Sequence, residues 1–280
     1  MSELRPARHL LDEDYWIDKL AGVESRPLYR TSLQAMGASE IRRALPAALT
    51  ESLERAASGN DAGIYLLLLA ALVVLLSRYT GADDPLVAST PFPRAEEAPS
   101  GLVFFRPRLA DDPTLARLLA CLTGELEEIY NHLDFDFEGL RRRFRSAGLG
   151  DERALFDIGL TYDLFNQDSP WLTHLDLWFG VERESDGLWL RLRDGKGQRS
   201  PTYLGQLGRH FESALRELLA HSDRPVREID LLCAEERSEI LAGLNPGEAA
   251  YPSEQSLAEL FAEQAARDPG AVAVVGPERT

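Results

Sequence analysis

The longest run of apolar positions, IYLLLLAALVVLL from Ile64 to Leu76, has no polar face at any helical spacing. A helix that is apolar all round belongs in a core or a membrane, and this run is shorter than the roughly 20 residues a span needs. It predicts a buried helix, opened by Asn60-Asp61 and carried on to Ser77-Arg78-Tyr79, with Gly81 where a helix C-terminus would stop. Two amphipathic helices are expected ahead of it. Leu10, Leu11, Tyr15, Trp16 and Leu20 recur at helical spacing among acids, and Leu45-Pro46-Ala47 opens a second helix to about Ser58.

The period then changes. Segments 85–93 (PLVASTPFP) and 101–109 (GLVFFRPRL) are rich in β-branched and aromatic residues and read as strands, with Pro107 placing the second at an edge or at its own end. A long helix is expected from Pro113 to about Tyr130. Three strands follow at 155–165, 174–183 and 187–194, the last two joined by a turn at Glu184-Ser185-Asp186-Gly187. A helix from about Thr202 to His221 closes this unit. Beyond Ser222 come acids, prolines and short helical pieces, then a helix from Gln255 to Arg267 and a strand at 271–275.

Composition narrows the function classes. The net charge of −16, from 46 acids against 30 bases, argues against nucleic acid or an anionic membrane as partner, since both require a basic surface. Cys121 and Cys233 lie far apart with no CxxC, which predicts free thiols in a reducing cytoplasm and neither a disulfide framework nor a zinc site. The N-terminal MSELRPARHLLDEDYW has no apolar stretch typical of a secretory signal.

One stretch invites a catalytic reading. NHLDFDFEGLRRRFR, residues 131–145, packs a histidine and three carboxylates between aromatic residues. His132 as general base with Asp134 as its orienter is reasonable chemistry. The better-supported reading is a helix start. Asp134 or Asp136 caps the first turn, Asp136 and Glu138 place negative charge there, and Arg141 to Arg143 with Arg145 place positive charge toward the end, matching the helix dipole. Phe135, Phe137 and Leu140 then anchor it to the core. Ser100-Gly101 and Ser253 lack a histidine at any motif spacing, and GADD (81–84) and DGKGQ (194–198) lack phosphate-cradle spacing. Trp171, Trp178 and Trp189 read as core or interface aromatics. No catalytic, metal or cofactor site is assigned.

The order of elements, together with LLLLAALVVLLSRYTGADDPLVASTPFPR and HLDFDFEGL, resembles the C-terminal lobe of a condensation domain of nonribosomal peptide synthetases. HLDFDFEGL is similar to the family's HQDxPFE motif, with His132, Asp134, Phe137 and Glu138 on matching positions. The segment LLCAEERSEILAGLNPGEAAYPSEQSLAELFAEQAARDPGAVAVV resembles the linker into an adenylation domain and that domain's first helix and strand.

The resemblance implies an α/β fold, one lobe of the chloramphenicol-acetyltransferase-like architecture, with a mixed sheet covered by helices. It implies three regions: a truncated condensation-like C-lobe at 1–232, an interdomain linker at 233–253 and an adenylation start at 254–280. In this family the catalytic HHxxxDG motif belongs to the N-terminal lobe. His9, His132, His174, His210 and His221 include no adjacent pair. The family's Phe-Val-Asn-Thr segment is degenerate here at Phe105, Arg106 and Pro107, the HQDxPFE proline is replaced by Asp136, and the later Arg-Asp-x-Ser-Arg-x-Pro-Leu pattern survives only as ERALF. The expectation is a non-catalytic scaffold that docks its own adenylation domain through Leu231, Leu232, Leu241, Leu244 and Tyr251. A carrier protein or a tailoring enzyme is a further partner the resemblance allows. The alternative is half of a split condensation enzyme, completed by a separate N-lobe bearing HHxxxDG.

Overall fold

The structure, a computed structural model, describes residues 4–30, 37, 39–92, 101–109, 111–166, 169–244 and 255–272; the side chains of 4–10 and 244 fall outside the description. The chain divides into two compact units, Met1–Cys233 and Ala234–Thr280.

In the first unit the helices α1 (Leu4–Leu20), α2 (Ala47–Ala56) and α3 (Asp61–Thr80) sit where the apolar pattern places them. The ends of α3 are set by chemistry. Asn60 accepts from the Ala62 and Gly63 amides at 2.9 and 3.3 Å, and Gly81 adopts φ 70°, with its N–H donating to the Ser77 carbonyl. A residue with a Cβ is strained in that left-handed conformation. By length and composition α3 is apolar enough to cross a membrane, yet 72% of its apolar window is buried inside the protein. Each of its buried leucines contributes roughly 1.5–3 kcal/mol by leaving water.

Six strands form one mixed sheet in the order β1-β6-β5-β4-β2-β3. They are β1 (Ser39–Ala44), β2 (Val87–Ser89), β3 (Val103–Phe105), β4 (Ile158–Tyr162), β5 (Leu177–Glu184) and β6 (Gly187–Asp194). β4 runs parallel to both β2 and β5; the other pairs are antiparallel. Glu184 pairs with Gly187, so the β5–β6 hairpin turns on Ser185-Asp186 as the sequence predicts. β2 and β3 are only three residues long, shorter than their apolar segments. Asp157 and Asp163 flank β4 and are not part of it.

Strand β1 is a finding the pattern does not predict. Its sequence SEIRRA carries one large apolar residue, and it is held at the sheet edge by pairing with β6 and by side chains on both faces. Toward the helices Arg43 reaches Glu212 at 2.7 Å, on α6 (Pro201–Ala220). On that face Arg183 pairs with Glu54 of α2, and the Tyr162 hydroxyl donates to Asp61 at the start of α3. On the opposite face Arg42 lies 4.2 Å from the Trp189 ring centroid, and Arg191 bonds Glu40 and Glu182 at 2.8 and 2.7 Å. Trp178 lies across Gly180, where a Cβ would collide with the indole, and donates to Thr161 Oγ1 at 3.0 Å.

The loop after β6, read from sequence only as DGKGQ, ends in a fully buried arginine. Arg199 contacts Asp194 Oδ1 at 3.2 Å, Asp176 Oδ2 at 3.1 Å and the Leu28 carbonyl at 3.0 Å. All three ionic side chains are inaccessible to solvent. Burial pushes the Asp176 carboxyl up, but hydrogen bonding and attraction from Arg199, with Lys196 and Arg30 beyond, hold it below the ordinary range.

Candidate functional site

The 131–145 stretch begins at the end of α4 (Leu115–Asn131) and continues into α5 (Phe137–Ser146). Asp136, of the two aspartates considered, is the N-cap, accepting from the Glu138 amide at 3.1 Å. Glu138 lies in the first turn, and Arg143 and Arg145 in the last. The dipole reading of the sequence thus describes this helix.

The carboxylate beside His132 is that of Asp12 and not of Asp134, the orienter that the less favoured catalytic reading would need. His132 Nδ1 lies 3.0 Å from Asp12 Oδ1, and Asp134 contributes its backbone N–H to Asp12 Oδ2 at 2.9 Å while its own carboxylate faces solvent. Asp12 comes from α1, 120 residues earlier, and no local pattern announces it. Tyr15 stacks on the imidazole with ring centroids 4.2 Å apart, and Trp16 donates its indole N–H to the His132 carbonyl at 2.9 Å. Arg143 adds bonds to Glu13 at 3.0 Å and Asp14 at 2.6 Å. These contacts fasten α1 to the α4–α5 junction. His132→Ala is expected to cost about 1 kcal/mol, one partly exposed hydrogen bond, and Asp12→Ala roughly 1–3 kcal/mol because a buried acceptor of two bonds is lost. Urea unfolding measures both; a larger loss for His132 than for Asp12 would contradict the assignment.

The other motif positions are equally committed. Phe137 is buried against Phe104, Phe156 and Trp171, the last with ring centroids 4.9 Å apart. A Cβ on Gly101 would meet the Phe137 Cβ at 2.6 Å, so the chain entering β3 passes directly over this ring. Glu138 bonds Arg141 at 3.1 Å, and Arg141 continues to Glu152 while lying 4.9 Å from the Phe156 ring centroid. Hydrogen bonds from Arg145 and then Arg141 hold the Glu152 carboxyl below the usual range against the pull of its partial burial. ERALF is therefore the anchor of α5, and it forms a 3-10 turn, Glu152–Phe156, ahead of β4.

At the end of β3, Arg106 occupies the position near the expected Asn-Thr. Its guanidinium bonds Asp84 at 2.8 Å and the Lys19 and Ala21 carbonyls at 3.0 and 2.8 Å, and its amide donates to Glu125 at 2.9 Å. Beside it lies a cleft of about 50 Å³, lined by Asp84, Arg106 and Asp157 among others, with room for little more than water. Asp157 accepts from Ser25 Oγ at 2.7 Å and the Arg26 amide at 2.9 Å. Burial pushes its carboxyl above the ordinary value even so. The raised folded value means that ionised Asp157 opposes folding at neutral pH and stops doing so as pH falls through that value. Asp157→Asn is expected to raise the unfolding midpoint at pH 7, with the difference from wild type closing on acidification; a lower midpoint at pH 7 would contradict this.

Among the described residues, no group of three or more His, Cys, Asp and Glu side chains could hold a metal ion. Cys121 and Cys233 are free thiols. Leu231 joins the buried core of the first unit and Leu232 is half-buried. In the second unit Leu241 is exposed on α7 (Ala234–Leu244). Tyr251, the Leu244 side chain and most of the expected 271–275 strand lie outside the described residues, and so do residues 93–100 of the loop between β2 and β3, Ser100 among them. α8 (Leu257–Arg267) opens with a capping box in which Ser256 and Glu259 each bond the other's amide, and it exposes Leu257 and Phe261.

The mixed sheet under a helical layer is the architecture of solved condensation domains. The first condensation domain of the CDA synthetase matches with a TM-score of 0.65 at 21% identity, over 81% of this chain and 55% of that one. The X-domain of teicoplanin biosynthesis, solved in complex with OxyB, matches at 0.64 and 21%, over 79% and 55%. A four-domain nonribosomal peptide synthetase, AB3403, matches at 0.71 and 16%, over 92% of this chain and 23% of its own. These likenesses define an α/β lobe of the chloramphenicol-acetyltransferase-like class. The condensation domain family matches residues 4–176, and the chain belongs to it. Surfactin synthase subunit 1 of Bacillus subtilis (strain 168) is 24% identical over 92% of this chain, and tyrocidine synthase 3 of Brevibacillus parabrevis is 25% identical over 96%. The chain spans only 8% and 5% of those two proteins, and about half of each solved condensation domain.

Proposed function

We propose that this chain serves a nonribosomal peptide synthetase as a non-catalytic interface module that docks an adenylation domain. The observation that carries this reading is the commitment of the motif residues. His132, Phe137 and Glu138 are each spent on holding α1, α5 and the Glu152–Phe156 turn together, the Asp134 carboxylate faces solvent, and the 280 residues contain no HHxxxDG. Supporting the docking role, the match to AB3403 covers 92% of the chain, leaving about 22 residues unmatched. The second unit, Ala234–Thr280, is longer than that, so the likeness to a multidomain synthetase extends into the segment that resembles an adenylation linker. The X-domain, a relative in fold, is solved with OxyB bound, which supports recruitment of a separate protein as a further role.

Deleting residues 1–230 from the synthetase is expected to lower soluble yield and amino-acid-dependent ATP–pyrophosphate exchange. An unaffected adenylation activity would sink the docking role. The second reading is a condensation enzyme whose HHxxxDG-bearing half comes from elsewhere. It is favoured by the match of residues 4–176 to the condensation domain family and opposed by the use of Arg106 as a clamp. Peptide-bond formation on mixing with such a half would establish it.

A further inference from the structure

We infer that the groove between α2 and α6 is a docking site for an amphipathic helix of a partner protein, apolar on one stripe and acidic on its flanks. The groove has a volume of about 460 Å³. Its α2 wall presents Ala48, Ser52 and Ala56 at successive helical turns, small enough for a third helix to approach closely, and its α6 wall presents Leu219 and Ala220. This is the shape into which a helix sets anchors at i, i+3, i+4 and i+7.

The charges around it choose the partner. Arg55 and Arg216 line the groove, both are exposed, and neither has a carboxylate within ion-pair distance among the described residues. The nearby acids have their close ion pairs elsewhere, Glu212 with Arg43 and Glu54 with Arg183, although Glu212 also feels the charge of Arg216. Glu51 and Glu217 stand on the same two helices but do not line the groove. In a chain of net charge −16, two exposed arginines beside apolar walls, Arg55 hydrogen-bonded to Ser52 at 3.1 Å and Arg216 attracting Glu212 beyond ion-pair distance, leave guanidinium donors that select glutamate or aspartate on the incoming helix. The inference rests on the interface reading and deepens it. Deletion asks whether the unit supports adenylation, whereas the groove can be tested on the chain alone, so each fails independently.

The probe is a fluorescein-labelled synthetic peptide with leucines at i, i+3, i+4 and i+7 and glutamates on both flanks, titrated with the 280-residue chain by fluorescence anisotropy at low salt. A version with lysine flanks is the control. Expected is saturable binding at least ten-fold tighter than the control, weakened ten-fold or more in the Arg55→Glu/Arg216→Glu double variant. Both positions are on the surface, and an unchanged melting curve establishes that the variant folds. Equal affinity for both peptides, no saturable binding, or full binding by the double variant overturns the inference. So does concentration-dependent self-association that the double variant abolishes without any peptide binding, which would assign the groove to a second copy of the chain.

Discussion

Arg199→Ala is expected to destabilise the protein by about 3–5 kcal/mol at pH 7, the range for removing one partner from a buried ionic group. The substitution leaves Asp176 and Asp194 inaccessible to solvent and without the cation that both contact. The effect carries a pH signature. The wild-type protein holds Asp176 below its ordinary value, so this stabilisation is complete above the unfolded aspartate value of about 3.9 and is lost as pH falls through the folded one. In the variant, burial is offset only by Arg30 and Lys196, and the carboxyl takes up a proton more readily. The gap between variant and wild type therefore narrows as the pH is lowered. Guanidinium unfolding at a series of pH values measures this, and a gap below about 1 kcal/mol at pH 7 would show that Arg199 is dispensable.

The second large effect separates the two readings of residues 131–145. Phe137→Ala removes a ring packed on Phe104, Phe156 and Trp171 and is expected to cost about 3–5 kcal/mol. The cavity cannot close easily, because Gly101 already brings the backbone against the ring. An unfolding free energy within about 1 kcal/mol of wild type would mean that Phe137 is peripheral, and the motif would have to be explained by something other than packing. Together with the small effect expected at His132, this places the weight of the stretch on its apolar residues.

Local chemistry made much of the fold legible. Asn60 and Gly81 mark the ends of α3, Asp136 marks the start of α5, and the Glu184–Gly187 turn joins β5 to β6. Each of these signals acts within four residues of itself. What escaped depends on distant partners. SEIRRA has no strand pattern of its own and becomes β1 because Arg43 meets Glu212 and Arg42 meets Trp189 across the sheet. Asp12 is an ordinary acid on an amphipathic helix until α4 delivers His132 to it. Arg199 stands at the end of a loop rich in glycine and polar residues, where nothing in the spacing foretells a buried charge. Composition expects arginine outside, and only the convergence of Asp176, Asp194 and the Leu28 carbonyl reverses that. The candidate site was half legible in the same sense: the capping of α5 could be read, but the clasp to α1 could not.

The order of elements along the chain also governs how the protein is made. α3 is complete by Thr80, but α6, which packs beside it, begins at Pro201, and β1 waits for β6. At a synthesis rate of about 5–20 residues per second, the interval is on the order of ten seconds. Throughout it, a helix without a polar face has α2 and, once made, α4 and β4 to cover it, while the face that meets α6 stays open. The nascent chain is thus expected to engage a holding chaperone during this interval, and slow codons between α3 and α6 would lengthen the exposure.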